Sequence, residues 1–310
     1  MKIAYLVLCH TDPQYIGRLC RKLTEGNSQN SVFLHVDRKS TMMQELSQLL
    51  AGAAQVYFTP RRVPVYWGGY SLVQATLELM RQSMAQGDHD RFVLLQGADY
   101  PIKSSAEIDQ FFTRHADTEF IKACDATASK SPYLYSRARY RLFCDRPTFV
   151  KKVWNRLTRL LDLKLHSGHL NVEGQDWHVY WGCAQIALTR NCVSHILKFE
   201  NNQTLRSYFG KTFAADELYF HTIVFNSSFR ERTSEGGVHA DTPGLRLVDM
   251  RNLCYFEYPR SVTTLAAADF ERLRRVPELY VRKVTSAAST PLLDKIDAEH
   301  RNTAYKLSEV

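Results

Sequence analysis

From its first residue to about residue 113 the chain alternates short apolar runs with segments of helical periodicity, and no other feature narrows its fold as much. Ile3–Cys9, Val32–Val36, Gln55–Phe58 and Phe92–Leu95 read as strands. Gln14–Thr24, Met42–Leu50, Ser71–Met84 and Ala106–Thr113 read as the helices between and after them. In the third helix Leu72, Val73, Thr76, Leu79, Met80 and Met84 fall on one face. This spacing predicts an α/β fold with a central, mostly parallel sheet flanked by helices. Ligands of such sheets bind beyond the carboxyl ends of the strands. The ends to watch are Cys9-His10, His35-Val36-Asp37 and Gln96-Gly97-Ala98-Asp99. The turn after the first strand, His10-Thr11-Asp12-Pro13, contains no glycine. A dinucleotide fingerprint and a phosphate-cradling glycine loop are therefore both absent, which sets aside NAD enzymes and P-loop enzymes.

At 310 residues the chain can bury a large core. We read residues 1–285 as a single domain with a variable, more basic insertion at about 118–175, followed by a C-terminal helix within 286–310. That helix shows its polar periodicity over Pro291–Leu307. Forty Lys and Arg against 32 Asp and Glu leave a net charge of +8, so an anionic partner is expected. No zinc spacing, arginine-rich arm or RNA-binding signature accompanies that charge, so nucleic acid is not the partner expected. The seven cysteines are scattered, odd in number and without a Cys-x-x-Cys pair, which reads as free thiols in a reducing compartment. No segment approaches the ~20 apolar residues of a membrane span. We therefore expect a cytoplasmic protein, either free or held peripherally on the inner face of a membrane.

Four segments, in order, carry a family resemblance. They are His35-Val36-Asp37-Arg38-Lys39-Ser40, Trp67-Gly68-Gly69-Tyr70-Ser71, Gly97-Ala98-Asp99-Tyr100-Pro101-Ile102-Lys103, and Asp216-Glu217-Leu218-Tyr219-Phe220-His221-Thr222. Together they resemble the core 2/I-branching β-1,6-N-acetylglucosaminyltransferases and peptide O-xylosyltransferases, glycosyltransferase family 14. The resemblance implies a GT-A-like fold and inverting transfer from a UDP-sugar to a glycan or lipid-linked glycan hydroxyl. UDP-N-acetylglucosamine is the donor expected, with UDP-xylose, UDP-glucose and UDP-galactose as alternatives. An inactive glycan- or nucleotide-binding homologue is the reading outside enzymes.

The resemblance also assigns roles. Glu217 matches the family's catalytic base, and a carboxylate within reach of the acceptor hydroxyl can take its proton as it attacks. Its neighbour Asp216 reads as a helix cap beside the sugar site. Arg260 and Lys283 resemble the family's Arg and Lys that hold the donor diphosphate. Two fixed cations can neutralise a departing UDP in place of a divalent metal, so no metal or other cofactor is expected. A literal Asp-x-Asp does occur at Asp88-His89-Asp90, but it precedes the fourth strand, whereas a donor-metal motif should follow one. His10, Asp37, Trp67 and Tyr70 are placed on the nucleotide, and Asp99 and Trp181 beside the donor or acceptor sugar.

Residues 149–164 carry a separate signal. Val150, Val153, Trp154, Leu157, Leu160 and Leu161 recur at helical spacing, with Lys151, Lys152, Arg156 and Arg159 on other faces. Such a basic amphipathic helix either packs on the core, as most do, or lies on an anionic membrane.

Overall fold

A computed structural model describes residues 1–242 and 244–308. Of the C-terminal helix expected within 286–310, residues 309 and 310 therefore lie outside the description. Four strands, β1 (Ile3–Cys9), β2 (Ser31–Val36), β3 (Val56–Phe58) and β4 (Arg91–Gln96), are mutually parallel. Between them run α1 (Pro13–Thr24), α2 (Met43–Leu49) and α3 (Ser71–Gln86). Every strand and helix read from the first 113 residues is present, with ends displaced by a few residues at most. The short strand β5 (Asp99–Pro101) turns away after β4, and α4 (Ser105–Arg114) follows it.

The middle of the chain is structured as well. It holds β6 (Cys124–Asp125), α5 (Pro132–Arg139), α6 (Phe149–Leu160), the hairpin β7 (His169–Val172) and β8 (Gln175–His178), then β9 (Tyr180–Trp181) and β10 (Ala187–Thr189). Helices α7 (Arg190–Lys198), α8 (Gln203–Phe209) and α9 (Tyr219–Phe225) lead on to β11 (Cys254–Tyr255), α10 (Phe270–Leu273), β12 (Tyr280–Arg282) and α11 (Ser286–Ser308). The main sheet has the order β10-β4-β1-β2-β3, and only its edge strand β10 is antiparallel. This is the α/β fold with a mostly parallel sheet flanked by helices that the strand–helix alternation predicts.

Strand β1 shows why the first run is continuously apolar. Ala4 and Leu6 enter one core, shared with α3 and α9, while Ile3, Tyr5, Val7 and Cys9 enter a second, shared with α1, α4 and α11. A parallel strand covered on both faces has no solvent side on which polar residues could alternate. The 118–175 segment is not peripheral to this packing. Ile121, Ala123, Leu134, Ala138, Leu170 and Val172 all belong to the first core. Helix α11 closes the second core and is tied to α1 by Arg18, whose guanidinium meets Asp294 at 2.8 Å and Asp297 at 2.6 Å.

The order of the main sheet places its switch point between β1 and β4, which neighbour each other while their chain connections leave in opposite directions. Their carboxyl ends carry Cys9-His10 and Gln96-Gly97. A Cβ at Gly97 would stand 3.0 Å from the Cys9 Cβ and 3.1 Å from the Ile16 Cδ1, so the turn that leaves β4 can close on β1 only with a residue this small. At the opposite end of the sheet Asp90 Oδ2 accepts from the Lys2 amide at 2.8 Å, and Asp88 faces Arg190 at 3.6 Å. The Asp-x-Asp sequence thus caps the amino ends of β1 and β4, away from the ligand-binding end.

The amino end of β4 also holds Arg91, a fully buried arginine. Its guanidinium donates to the carbonyls of Thr118 (2.6 Å), His115 (2.8 Å) and Ala116 (3.0 Å), and lies against the rings of Phe112 and Phe120. Burial lowers its pKa to about 10. These bonds collect the chain just beyond α4, where the His115 carbonyl also accepts from the Thr118 amide at 3.1 Å. Arg91→Met should therefore lower stability by on the order of 3 kcal/mol, since a fully buried charged donor and its bonds to three carbonyls beyond α4 are lost together. A shift in the urea unfolding midpoint is the measurement.

Candidate active site

Glu217 ends a short 3-10 turn, Ala215–Glu217, that leads into α9. Ala214 enters the turn with φ 53°. The turn is pinned from two sides. Ala214 donates its amide to the Gly68 carbonyl at 2.8 Å, and Gly182 donates to the Glu217 carbonyl at 3.0 Å. Gly182 has no alternative here, because a Cβ would stand 2.0 Å from the Lys122 carbonyl oxygen.

The Glu217 side chain is held as firmly as its backbone. Its Oε2 accepts from the Trp181 Nε1 at 3.0 Å and from the Arg137 Nη2 at 3.1 Å. Both bonds go to the same oxygen, so among the described residues Oε1 has no hydrogen-bond partner. Arg137 also donates from Nη2 to the Tyr133 hydroxyl at 2.6 Å and lies against the rings of Tyr133 and Phe213. Its Nε and Nη1 are buried without a partner among the described residues. Two unmatched cationic N–H groups beside a half-free carboxylate form a polar site short of hydrogen-bond acceptors.

Trp181 is fully buried, so it lies behind Glu217 and orients it; the sugar-side position expected for Trp181 is not the one it occupies. Asp99 is likewise enclosed. Its Oδ1 receives Arg282 Nη1 at 2.7 Å and its Oδ2 the Gln96 amide at 2.8 Å, which leaves it bracing β5 against β12 rather than facing a sugar. Tyr70 is buried edge-on to Tyr219 in the core, because the start of α3 turns it inward, and no open face of its ring is left for a base. Asp216 caps no helix: neither the 3-10 turn nor α9 has a side-chain cap. It is half-buried, with its pKa raised to about 7 by burial first and then by the negative charge of Glu217.

The nucleotide-side candidates sit at the strand ends. His10 is exposed, and its carbonyl accepts from the Ser40 hydroxyl at 2.7 Å. Asp37 Oδ1 accepts the amides of Lys39 at 2.9 Å and Val65 at 3.2 Å, and Oδ2 pairs with Lys39 Nζ at 3.3 Å. Its partner in the motif, His35, is buried and accepts the Val63 amide on Nε2 at 2.8 Å, with its pKa lowered to about 4 by burial. The His-Val-Asp sequence thus ties the 63–66 loop to the end of β2. That loop delivers Trp67, which is 83% exposed and packs one edge on Phe213, beside Arg137.

At the end of β12 the 282–283 pair divides. Arg282 turns in to Asp99, whereas Lys283 turns out to solvent. The Lys283 amide donates to the Thr263 carbonyl at 3.3 Å and its carbonyl accepts from Leu265 at 2.9 Å, so the Arg260 loop is stitched beside it. Val284 in turn donates to the Ala98 carbonyl at 3.0 Å, which joins this edge to the Gly97 turn. Arg260 and Lys283 are exposed and make no ion pair among the described residues. The charge of Arg282, which faces inward to Asp99, slightly offsets the rise of the Asp216 pKa. Sequence reasoning missed Arg137, Tyr133 and Asp145. The last accepts from the Ser71 hydroxyl at 2.5 Å, and α5 and its flanks gave no pattern by which to find any of the three.

Ligands of a mostly parallel sheet bind beyond its strand ends, and Arg260 and Lys283, exposed and without an ion pair among the described residues, are suited to an anionic one. The Core-2/I-Branching enzyme model matches residues 3–246, and the chain belongs to that family. Among its relatives, human xylosyltransferase 2 is 26% identical over 318 positions, covering 96% of this chain and 33% of the relative. Human xylosyltransferase 1 is 24% identical over 323 positions, covering 96% of this chain and 30% of the relative. The chain thus spans about a third of the length of the relatives it matches. Among solved structures, S. aureus TarS 1–349 overlaps with a TM-score of 0.38 at 13% identity, covering 75% of this chain and 57% of that one.

Asp216 yields a pH test. Its unfolded-state pKa is the ordinary 3.8 and its folded value is about 7. Between those values the native state keeps a proton that the unfolded state has lost, so stability falls as pH rises through this window. Asp216→Asn should therefore melt above the wild type at pH 8, and the gain should vanish near pH 4. Thermal unfolding at the two pH values reads both signs.

Proposed function

We propose that the protein is an inverting glycosyltransferase that moves a sugar from a UDP-sugar to a glycan hydroxyl, with Glu217 as the base and no divalent metal. The observation that carries this reading is the asymmetry of Glu217, whose Oε2 is held by Trp181 and Arg137 while Oε1 has no hydrogen-bond partner among the described residues. A base needs a fixed direction and an open lone pair, and this carboxylate has both. The acceptor oxygen forms a bond to the anomeric carbon from the face opposite UDP. The bond from that carbon to the diphosphate oxygen breaks, its electrons leave with UDP, and the acceptor proton passes to Oε1.

Arg260 and Lys283 supply the positive charge that the departing diphosphate needs, Arg as a fork and Lys as a point charge. Their exposure and lack of a carboxylate partner support this role, as does the position of Asp88 and Asp90 at the far end of the sheet. His10, Trp67 and the loop tied down by Asp37 receive the nucleotide in this reading. The donor is UDP-N-acetylglucosamine, in keeping with a family model described by branching enzymes. The names of the two human relatives favour UDP-xylose as the second reading. Hydrolysis of a panel of UDP-sugars in the absence of acceptor separates the two.

Two substitutions divide chemistry from binding. Glu217→Gln should leave UDP affinity nearly unchanged and slow transfer by roughly 10²–10⁴, the usual contribution of a general base. Lys283→Ala should weaken UDP binding and slow transfer together, because its charge meets the ground state and the leaving group alike. Calorimetry with UDP and a transfer assay on both variants read the pattern, and near wild-type turnover in Glu217→Gln removes Glu217 as the base. Transfer should also survive EDTA. Loss of activity on chelation, restored by Mn²⁺, would overturn the assignment of Arg260 and Lys283 as the replacement for a metal.

A further inference from the structure

Helix α6 is amphipathic the wrong way round for a helix packed on a core. Of its residues only Thr158 is buried. What attaches it to the body is polar. Asn155 exchanges two hydrogen bonds with the backbone of Phe143, both at 2.9 Å, Lys151 donates to the Asp145 carbonyl at 2.8 Å, and Trp154 Nε1 donates to the Arg141 carbonyl at 3.1 Å. Its apolar side chains point outward instead. Among the described residues, eight of the eleven large apolar side chains exposed on the surface lie between 149 and 165, with Phe149 at 80% and Leu160 at 69%. Packing on the core, one of the two outcomes expected for this segment, is therefore not what the helix does. It also ends at Leu160, four residues short of the span read from the sequence, and Leu161 follows as its cap.

An exposed apolar patch this concentrated marks a partner surface, and charge selects which one. Helix α6 carries Lys151, Lys152, Arg156 and Arg159 and no acidic residue. A second copy of the chain would set one cationic face against another and be repelled. A surface that is apolar within and anionic at its boundary matches both halves of the pattern. We propose that α6 seats the protein on an anionic lipid bilayer, with Phe149, Val150, Leu160 and Leu161 among the upper acyl chains and Lys152, Arg156 and Arg159 among the headgroup phosphates. Arg159 lies against the Phe213 ring, which also meets Trp67 and the Arg137 that holds Glu217. The bilayer then runs beside the carboxylate. On the glycosyltransferase reading, the acceptor is presented at the membrane surface, with its reacting hydroxyl just above the headgroups.

Sedimentation of the full chain with vesicles tests the docking without requiring activity. Vesicles of phosphatidylcholine alone and of phosphatidylcholine mixed with phosphatidylglycerol serve as probes at low and high salt. Partition onto the anionic vesicles at low salt should exceed that onto neutral ones by at least about tenfold and fall with salt, as expected for several cations near a charged surface. Two variants should each abolish most of it: Phe149→Ser with Leu160→Ser and Leu161→Ser, and Lys152→Glu with Arg156→Glu. These side chains are exposed, and retained UDP binding verifies that each variant is folded. No binding, or binding indifferent to lipid charge and to both variants, overturns the proposal. So does a dimer in solution that the triple serine variant converts to a monomer, since a second copy would then cover the face. Failure of the catalytic reading would appear separately, as absent donor hydrolysis in a protein that still binds vesicles.

Discussion

The parallel pairing of β1 with both β2 and β4 is the constraint from which the rest of the structure follows. It sets the Cys9-His10, Val36-Asp37 and Gln96-Gly97 ends side by side and commits both faces of the sheet to helices. Parallel strands need crossovers, so α1 and α3 are obligatory coverings, and the chain leaves every strand at the same edge. A ligand site at that edge is a consequence of topology before any side chain is chosen. The candidate residues come from segments far away in sequence, α5, the Glu217 turn and the β12 edge.

Two carboxylates near this edge show how differently burial can be used. Asp99 loses its solvent and would be driven to neutrality, but Arg282 at 2.7 Å and the Gln96 amide offset much of that cost, so the charge serves to clamp β5 to β12. Asp216 has no such partner in contact and sits beside Glu217, and its proton is retained to about pH 7. A protonated Asp216 spares Glu217 a second negative neighbour, while Arg137 and Trp181 direct its charge to one oxygen. Orientation of the carboxylate thus rests on a buried indole and a nearly buried guanidinium, both from segments outside the sheet.

The 118–175 region joins the functional parts. Its inner residues complete the first core, its α5 supplies Arg137 and Tyr133, and its α6 turns an apolar face outward. Reading it as a variable insertion undervalues it, because packing, the candidate base and the outer surface all depend on it. Seven free thiols are dispersed through the molecule, six of them buried, so no disulfide fastens these parts together and packing alone does so.

Local sequence was enough for the α/β class, since continuous apolar runs bounded by helical periodicity leave a doubly covered parallel sheet as the stable arrangement. It was enough, too, for setting Asp88-x-Asp90 apart from the ligand edge, whereas the 3-10 turn that ends at Glu217 was not foreseen and Asp216 does not cap a helix. What it could not settle is which way a side chain faces once distant segments meet. Asp99, Trp181 and Tyr70 stand in motif positions that suggest ligand contact, yet each is turned inward by a partner more than thirty residues away: Arg282 for Asp99, Glu217 for Trp181 and Tyr219 for Tyr70. Arg137 had no legible signature, because a nearly buried arginine looks like any other until its neighbours are known, and the apolar stripe of α6, though legible, did not say whether it faces the core or the outside. Side-chain partners are long-range contacts, and only tertiary packing decides those.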